Sequence, residues 1–262
     1  MLRLLFFSLF VVLFCSCRTS KQTKSQPDVT ITASYADSYL SSLPQIHDSI
    51  IPAIDRTLAA HKNDTATLRF LARYLYDKYL ISEMQGAENI TVHLADNYYL
   101  NNRIVENAKF RKEVADFAKK FRNTLIGKQA QNLKMESING THEALYDIDS
   151  PYTLVYFFDP TCSHCKKETP KIYKIFRKYS NRGLAGFCVY SQSDREEWID
   201  YVAKNNLTDW MNVWDPTNEN NFRIAYSIYS VPQTYLLDKD KKIVGRRLND
   251  ETLENLLKNL LN

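Results

Sequence analysis

The run Tyr152-Thr153-Leu154-Val155-Tyr156-Phe157-Phe158 constrains this chain more than any other stretch. Its β-branched and aromatic content reads as a buried strand. Asp159-Pro160-Thr161 breaks it, and Cys162-Ser163-His164-Cys165 follows at once. Behind Cys165 a polar, helix-compatible stretch leads to Ile172, Ile175, Phe176 and Tyr179 at helical spacing. A strand feeding directly into a helix is an α/β arrangement, and here it sets two thiols on the first helical turn. Such thiols can close a small disulfide ring. The first of them lies near unpaired backbone N–H groups, where negative charge is favoured. Since thiolate is the nucleophile in exchange chemistry, the pattern points to a dithiol that trades electrons with disulfides. Taken alone, the four residues also admit metal binding or haem attachment.

At 262 residues the chain has room for one large domain or two ordinary ones. Hydrophobic residues at 44% and charged residues at 24% describe a globular protein. A net charge of +4, with lysines spread over many helical faces, lacks the clustering of a nucleic-acid surface. Six glycines against seventeen tyrosines favour long helices with few tight turns.

The amino terminus reads as a targeting segment. Arg3 gives a short positive start, and Leu4 to Phe14 form an apolar run broken only by Ser8. That run is too short to span a bilayer, which takes roughly 20 residues, but it suits a signal-peptide core. Phe14-Cys15-Ser16-Cys17 resembles the lipobox of bacterial lipoproteins, with Cys17 after small Ser16 as the lipidated residue. Phe14 departs from the usual leucine. The resemblance implies a signal peptide over 1–17, and residues 18–30 read as a polar tether. It also implies an exported, lipid-anchored protein facing the periplasm of a Gram-negative-type envelope. The mature chain then keeps Cys162, Cys165 and Cys188: one redox pair and one small core residue in the strand-like Gly186-Phe187-Cys188-Val189-Tyr190.

Residues 31–127 are helical in pattern throughout. Leu68, Leu71, Leu75 and Tyr79 mark one helix face behind a capping Asp64, and Val114, Phe117, Ala118 and Phe121 mark another. His47, His61 and His93 are scattered, though His93 and Asp96 share a helix face as a surface pair. At Gly127-Lys128-Gln129 the character changes. Leu133-Lys134-Met135 and Ala144-Leu145-Tyr146 predict a hairpin turning at Asn139-Gly140. After the cysteine helix come a strand from Leu184 to Ser191, a helix capped by Asp194 and a strand from Met211 to Trp214. A helix near Asn218 to Tyr226, strands at Gln233–Leu237 and Ile243–Gly245, and a last helix from Glu251 to Leu261 complete the pattern. Alternating strands and helices imply a central sheet covered on both faces.

From about Ala130 to Asn262 the chain resembles the thioredoxin fold, in its TlpA/ResA-like branch of exported thiol–disulfide oxidoreductases. Four elements carry the likeness: the strand leading to Cys162-Ser163-His164-Cys165, Pro170 in the following helix, Ser230-Val231-Pro232-Gln233 before a late strand, and the Lys239-to-Val244 hairpin. The resemblance implies a mixed sheet flanked by helices over 130–262, behind an all-α domain over 31–127. It implies a redox disulfide between Cys162 and Cys165, with Cys162 as nucleophile and Cys165 as resolving thiol. Pro232 would be a cis-proline, leaving the Val231 backbone free to align substrate. His164 would tune the pair by stabilising the thiolate, which makes the disulfide more oxidising. A histidine there resembles the oxidising and isomerising relatives, whereas the whole domain resembles the reductases. The domain-wide match favours a reductase of protein disulfides, reloaded by a membrane or periplasmic electron donor and needing no cofactor, metal or nucleic acid.

Departures and alternatives accompany the match. Thr161 replaces the usual tryptophan, and Ser230 a common glycine. Tyr156 stands where thioredoxin buries an aspartate, which leaves Glu168 as a candidate acid. One CxxC cannot supply four zinc ligands, and Lys166 stands where haem attachment needs histidine. Copper would need a third ligand such as His142. A non-catalytic or copper-binding module on this scaffold, or a disulfide oxidase or isomerase, is the alternative.

Overall fold

The computed structural model describes residues 29–261. The leader, Cys17 and most of the tether therefore lie outside the described residues. The chain begins with α1 (Val29–Ser41), α2 (His47–Ala60), α3 (Thr65–Leu80), α4 (Ala87–Leu94) and α5 (Ala108–Phe121), with a π-helical turn over Ala95–Tyr99. Asp64 accepts the Thr67 N–H at 3.2 Å and Asn107 that of Phe110 at 2.9 Å, which satisfies donors the first turns leave unpaired. Leu71 and Leu75 of α3 share one buried core with Ile54 and Leu58 of α2. Tyr76, Tyr99 and Phe110 close this core edge to face, at centroid separations of 5.2–5.7 Å. His93 does not meet Asp96. Its Nε2 lies 2.8 Å from Asp55 Oδ1, while Asp96 pairs with Arg122 at 2.6 Å, because α2 and the residues after α5 bring closer partners.

Seven strands follow: β1 (Lys134–Ser137), β2 (His142–Ala144), β3 (Tyr152–Phe158), β4 (Leu184–Tyr190), β5 (Met211–Trp214), β6 (Gln233–Asp238) and β7 (Ile243–Arg246). They are interleaved with α6 (Ser163–Ser180), α7 (Arg195–Lys204), α8 (Phe222–Ala225) and α9 (Asp250–Leu260). The sheet is mixed, in the order β2-β1-β5-β4-β3-β6-β7. β3 is central, parallel to β4 and antiparallel to β6. Its alternate residues divide between two cores. Leu154, Tyr156 and Phe158 pack with α6, α7 and α9, while Val155 and Phe157 pack with Phe222, Tyr226 and Leu133. The two crossovers from β3 to β4 and from β4 to β5 place α6 and α7 on one face, as right-handed connections require.

The predicted hairpin forms as β1 and β2, with Gly140 at φ +82° in the turn, but its second strand ends at Ala144 and Leu145–Asp147 is a 3-10 turn. The predicted helix over 218–226 shrinks to α8. Asp215 accepts the N–H groups of Glu219 and Asn220 at 3.0 and 2.8 Å, and Asn218 and Asn221 adopt left-handed backbone. Side-chain oxygens that satisfy the backbone locally displace the helix there.

The halves meet along β7. Asn89 and Ile126 exchange two hydrogen bonds at 3.0 and 3.1 Å within the helical half, and the adjacent Gly127 donates to the Ile243 carbonyl at 2.8 Å. Gln85 accepts the Arg246 N–H at 3.3 Å, and Glu88 pairs with Arg247 at 3.1 Å. The β7 edge, which would otherwise expose unpaired backbone groups, is thus partly covered by the helical half.

Candidate active site

β3 ends at Phe158 because Asp159 turns the chain. The Asp159 carboxylate accepts the Thr161 N–H at 2.7 Å and its hydroxyl at 2.6 Å, and the Asp159 carbonyl accepts the Cys162 N–H at 3.2 Å. The other carboxylate oxygen accepts Gln192 Nε2 at 2.6 Å, from the loop after β4. Burial pushes the Asp159 carboxyl up, but the bonds from Thr161 and Gln192 outweigh it and hold it below the usual carboxylate range. Cys162 therefore enters as the residue before α6, in extended backbone, with its carbonyl already accepting the Lys166 N–H. Asp159 and Gln192 were not among the sequence-derived site residues. The Asp-x-Thr pattern of a side-chain turn signals the first; only the fold brings up the second.

The two thiols differ in access. Cys162 is half-buried, and Cys165, one turn on, is wholly buried. Burial pushes the Cys165 thiol up to about 12, and neighbouring Cys162 adds to the rise; the Asp159 N–H, 3.4 Å from its sulfur, opposes it. Cys165 is thus a protonated thiol at neutral pH, shielded behind Cys162. Cys188 lies on β4 opposite Tyr156, fully buried in the same core, and its thiol is also pushed well up by desolvation.

The Val231–Pro232 peptide is cis. Its Val231 carbonyl accepts from Cys162 Sγ at 3.5 Å, so this loop stands directly against the outer thiol. Pro170 lies inside α6, where it has no N–H to offer the Lys166 carbonyl. His164 is exposed on the first turn of α6, between the two cysteines in sequence. Tyr156 is wholly buried, and its hydroxyl meets Thr169 Oγ1 at 3.0 Å; burial keeps the phenol protonated far above neutrality. Glu168 pairs with Lys171 at 2.9 Å and lines a cavity of about 290 Å³ together with Tyr156 and Pro232.

His142 sits on β2, the edge strand, four strands from β3. At roughly 4.8 Å per strand that is about 19 Å from the line of the cysteines. The copper arrangement does not assemble, and among the described residues no three His, Cys, Asp or Glu side chains gather as a metal site.

A thioredoxin-like family model matches residues 150–243, which span the strand, both cysteines and the cis-proline loop. The thiol–disulfide oxidoreductase ResA of Bacillus cereus is 26% identical over 133 residues, covering 50% of this chain and 74% of that protein. The carboxy-terminal half carries a thioredoxin-like domain and is similar to the ResA thiol–disulfide oxidoreductases. A domain of a possible thiol-disulfide isomerase from Cytophaga hutchinsonii is 37% identical, covering 52% of this chain and 92% of that domain, with a TM-score of 0.49. A thioredoxin-like protein of Bacteroides caccae covers 90% of this chain and 86% of its own at a TM-score of 0.66 and 20% identity. That last likeness extends the shared fold into the helical half, beyond the thioredoxin-like domain. The homologues support an oxidoreductase role for this domain.

Proposed function

We propose that this protein is a reductase of protein disulfides, with Cys162 as nucleophile and Cys165 as resolving thiol. The observation that carries the reading is the graded access of the pair: Cys162 half-buried against the Val231 carbonyl, Cys165 sealed behind it. The Cys162 thiolate attacks one sulfur of a substrate disulfide, and the other sulfur leaves as a thiolate. Cys165 then gives up its proton and attacks Cys162 Sγ. The mixed disulfide breaks, the Cys162–Cys165 disulfide forms, and the substrate leaves carrying two electrons. Val231 aligns an extended substrate segment beside Cys162, and His164 adjusts the balance between dithiol and disulfide. A membrane or periplasmic dithiol donor reloads the pair.

The working place we propose is the periplasmic side of a bacterial envelope, through the signal peptide over 1–17 and a lipid on Cys17. Labelling with a radioactive or clickable fatty acid tests this. Label lost in Cys17→Ser supports it, and an unlabelled chain contradicts it.

The direction of electron flow is tested by the reduction potential in glutathione buffers, alongside turnover of insulin driven by dithiothreitol. A potential near about −270 mV supports a reductase, whereas one near about −120 mV makes the protein an oxidase. No turnover at all overturns the enzyme.

A further inference from the structure

Where the helical half meets the cis-proline loop, the structure holds a cavity of about 330 Å³. Three cations line it: Lys120 from α5, and Arg246 and Arg247 from the end of β7. Among the described residues lining it there is no Asp or Glu. Glu88, which is not among the lining residues, pairs with Arg247 at 3.1 Å. Arg246 is 1% exposed, yet its Nε and Nη1 have no hydrogen-bond partner among the described residues. Its guanidinium rests over the Phe121 ring at 4.9 Å, and Lys120 Nζ lies 3.6 Å from the Tyr229 centroid. These aromatic faces offset part of the cost of desolvating the cations, but they offer no hydrogen-bond acceptor of the kind a guanidinium fork is built for. The neighbouring arginines also lower the Lys120 pKa, after burial, so the three charges feel one another. Among the described residues Arg247 has a carboxylate partner and Lys120 and Arg246 have none, so the buried, unpaired Arg246 donors beside two further cations form a site complementary to an anion.

The position gives that anion an identity. Ser230 and Gln233, which flank Val231-Pro232, line this cavity, and with Arg247 they also line the adjoining one that contains Pro232. Tyr229 is two residues before Val231 and 65% exposed. Successive Cα atoms are about 3.8 Å apart, so the cavity opens within about 8 Å of the Val231 backbone. An extended segment advances about 3.3 Å per residue, which brings a side chain two or three residues from its cysteine into range.

We propose that this cavity is a recognition subsite for a carboxylate on the extended polypeptide that carries the substrate disulfide. The proposal rests on the reading of Cys162 and Cys165 as an exchanging pair. Arg246 and Arg247 donate to the carboxylate, and Lys120 with Tyr229 covers it on the outer side. The helical half thereby becomes the part of the molecule that selects substrates for the dithiol.

The test compares the full chain on disulfide-linked peptides that are identical except for Glu or Gln two or three residues from the cysteine. A second pair ends there in a free carboxylate or its amide, and separates an acidic side chain from a chain end. The expected result is a kcat/KM about tenfold higher for the carboxylate member of one pair or both, as for a charge-assisted contact. The preference should shrink to within about twofold in the double variant Lys120→Gln, Arg247→Gln, and should fall in the same direction in Lys120→Gln alone, which leaves both Arg246 and the Arg247–Glu88 pair in place. Equal kcat/KM within both wild-type pairs, or a preference that survives the double variant, overturns the subsite alone. If the wild-type chain reduces none of the peptides, the exchanging-pair reading falls, and the subsite with it.

Discussion

The helical half and the sheet half solve the same burial problem in different ways. In α1–α5 the core is built from leucines, isoleucines and edge-to-face aromatics. His93 and Asp96 sit there in partly exposed pairs with Asp55 and Arg122. In the sheet half buried polar groups are more frequent, and one cluster of them stands at the carboxyl end of β3. There a buried carboxylate, a buried thiol and a buried tyrosine hydroxyl collect around Cys165. All cysteines among the described residues lie in that half. Packing in the first region fixes shape; polar burial in the second, which is harder to stabilise, marks where chemistry is placed.

Four changes probe that division, in falling order of effect. Cys162→Ser should abolish insulin reduction while leaving the thermal transition in place; residual turnover would move the chemistry elsewhere. Leu75→Ala opens a void among wholly buried residues of the helical core. It should lower stability by about 2–5 kcal/mol in urea unfolding and leave the reduction potential unchanged. A shifted potential would show that the halves are not separable in this sense.

Asp159→Ala removes the acceptor for Thr161 and Gln192 and should cost about 1–3 kcal/mol. This variant should change the potential as well, since the Asp159 turn also sets Cys162 and Cys165 in place. Its pH signature has a definite sign. A carboxyl held below its unfolded value, near 3.9, contributes stability that is present above that pH and is lost as pH falls through the lower folded value. The wild-type stability should therefore decline more steeply than that of Asp159→Ala below about pH 4. Parallel profiles would contradict the assignment. At the small end, Lys112→Ala breaks an exposed i,i+4 pair with Asp116 on α5. It should alter neither stability nor potential measurably.

The sequence showed the sheet half more clearly than its connections. β3 is legible because seven strand-forming residues are bounded by Asp159-Pro160, and α6 because its apolar residues recur at helical spacing on one face. Apolar spacing suggests a helix over 218–226, but Asp215 and two asparagines satisfy the backbone locally and leave only α8. The pairing of His93 is not legible in the sequence, since Asp55 is 38 residues away and α2–α4 packing unites them. Gln192 and the buried Arg246 were invisible for the same reason: each acquires meaning from a neighbour distant in the chain. Cys162 and Cys165 were legible as a motif. Their unequal burial, on which the mechanism turns, emerged only from the packing of α6 against β3.

The most direct test of the account is trapping of mixed disulfides by two single variants, read by mass spectrometry of the covalent adducts. Cys165→Ser should accumulate substrate linked through Cys162, because the attacking thiol remains and the resolving thiol is gone. Cys162→Ser should trap next to nothing, since burial alone raises the Cys165 thiol, keeps it largely protonated and shields it from a protein disulfide. Adducts on Cys165 in the Cys162→Ser variant, with none in Cys165→Ser, would contradict the assignment of attacking and resolving thiols.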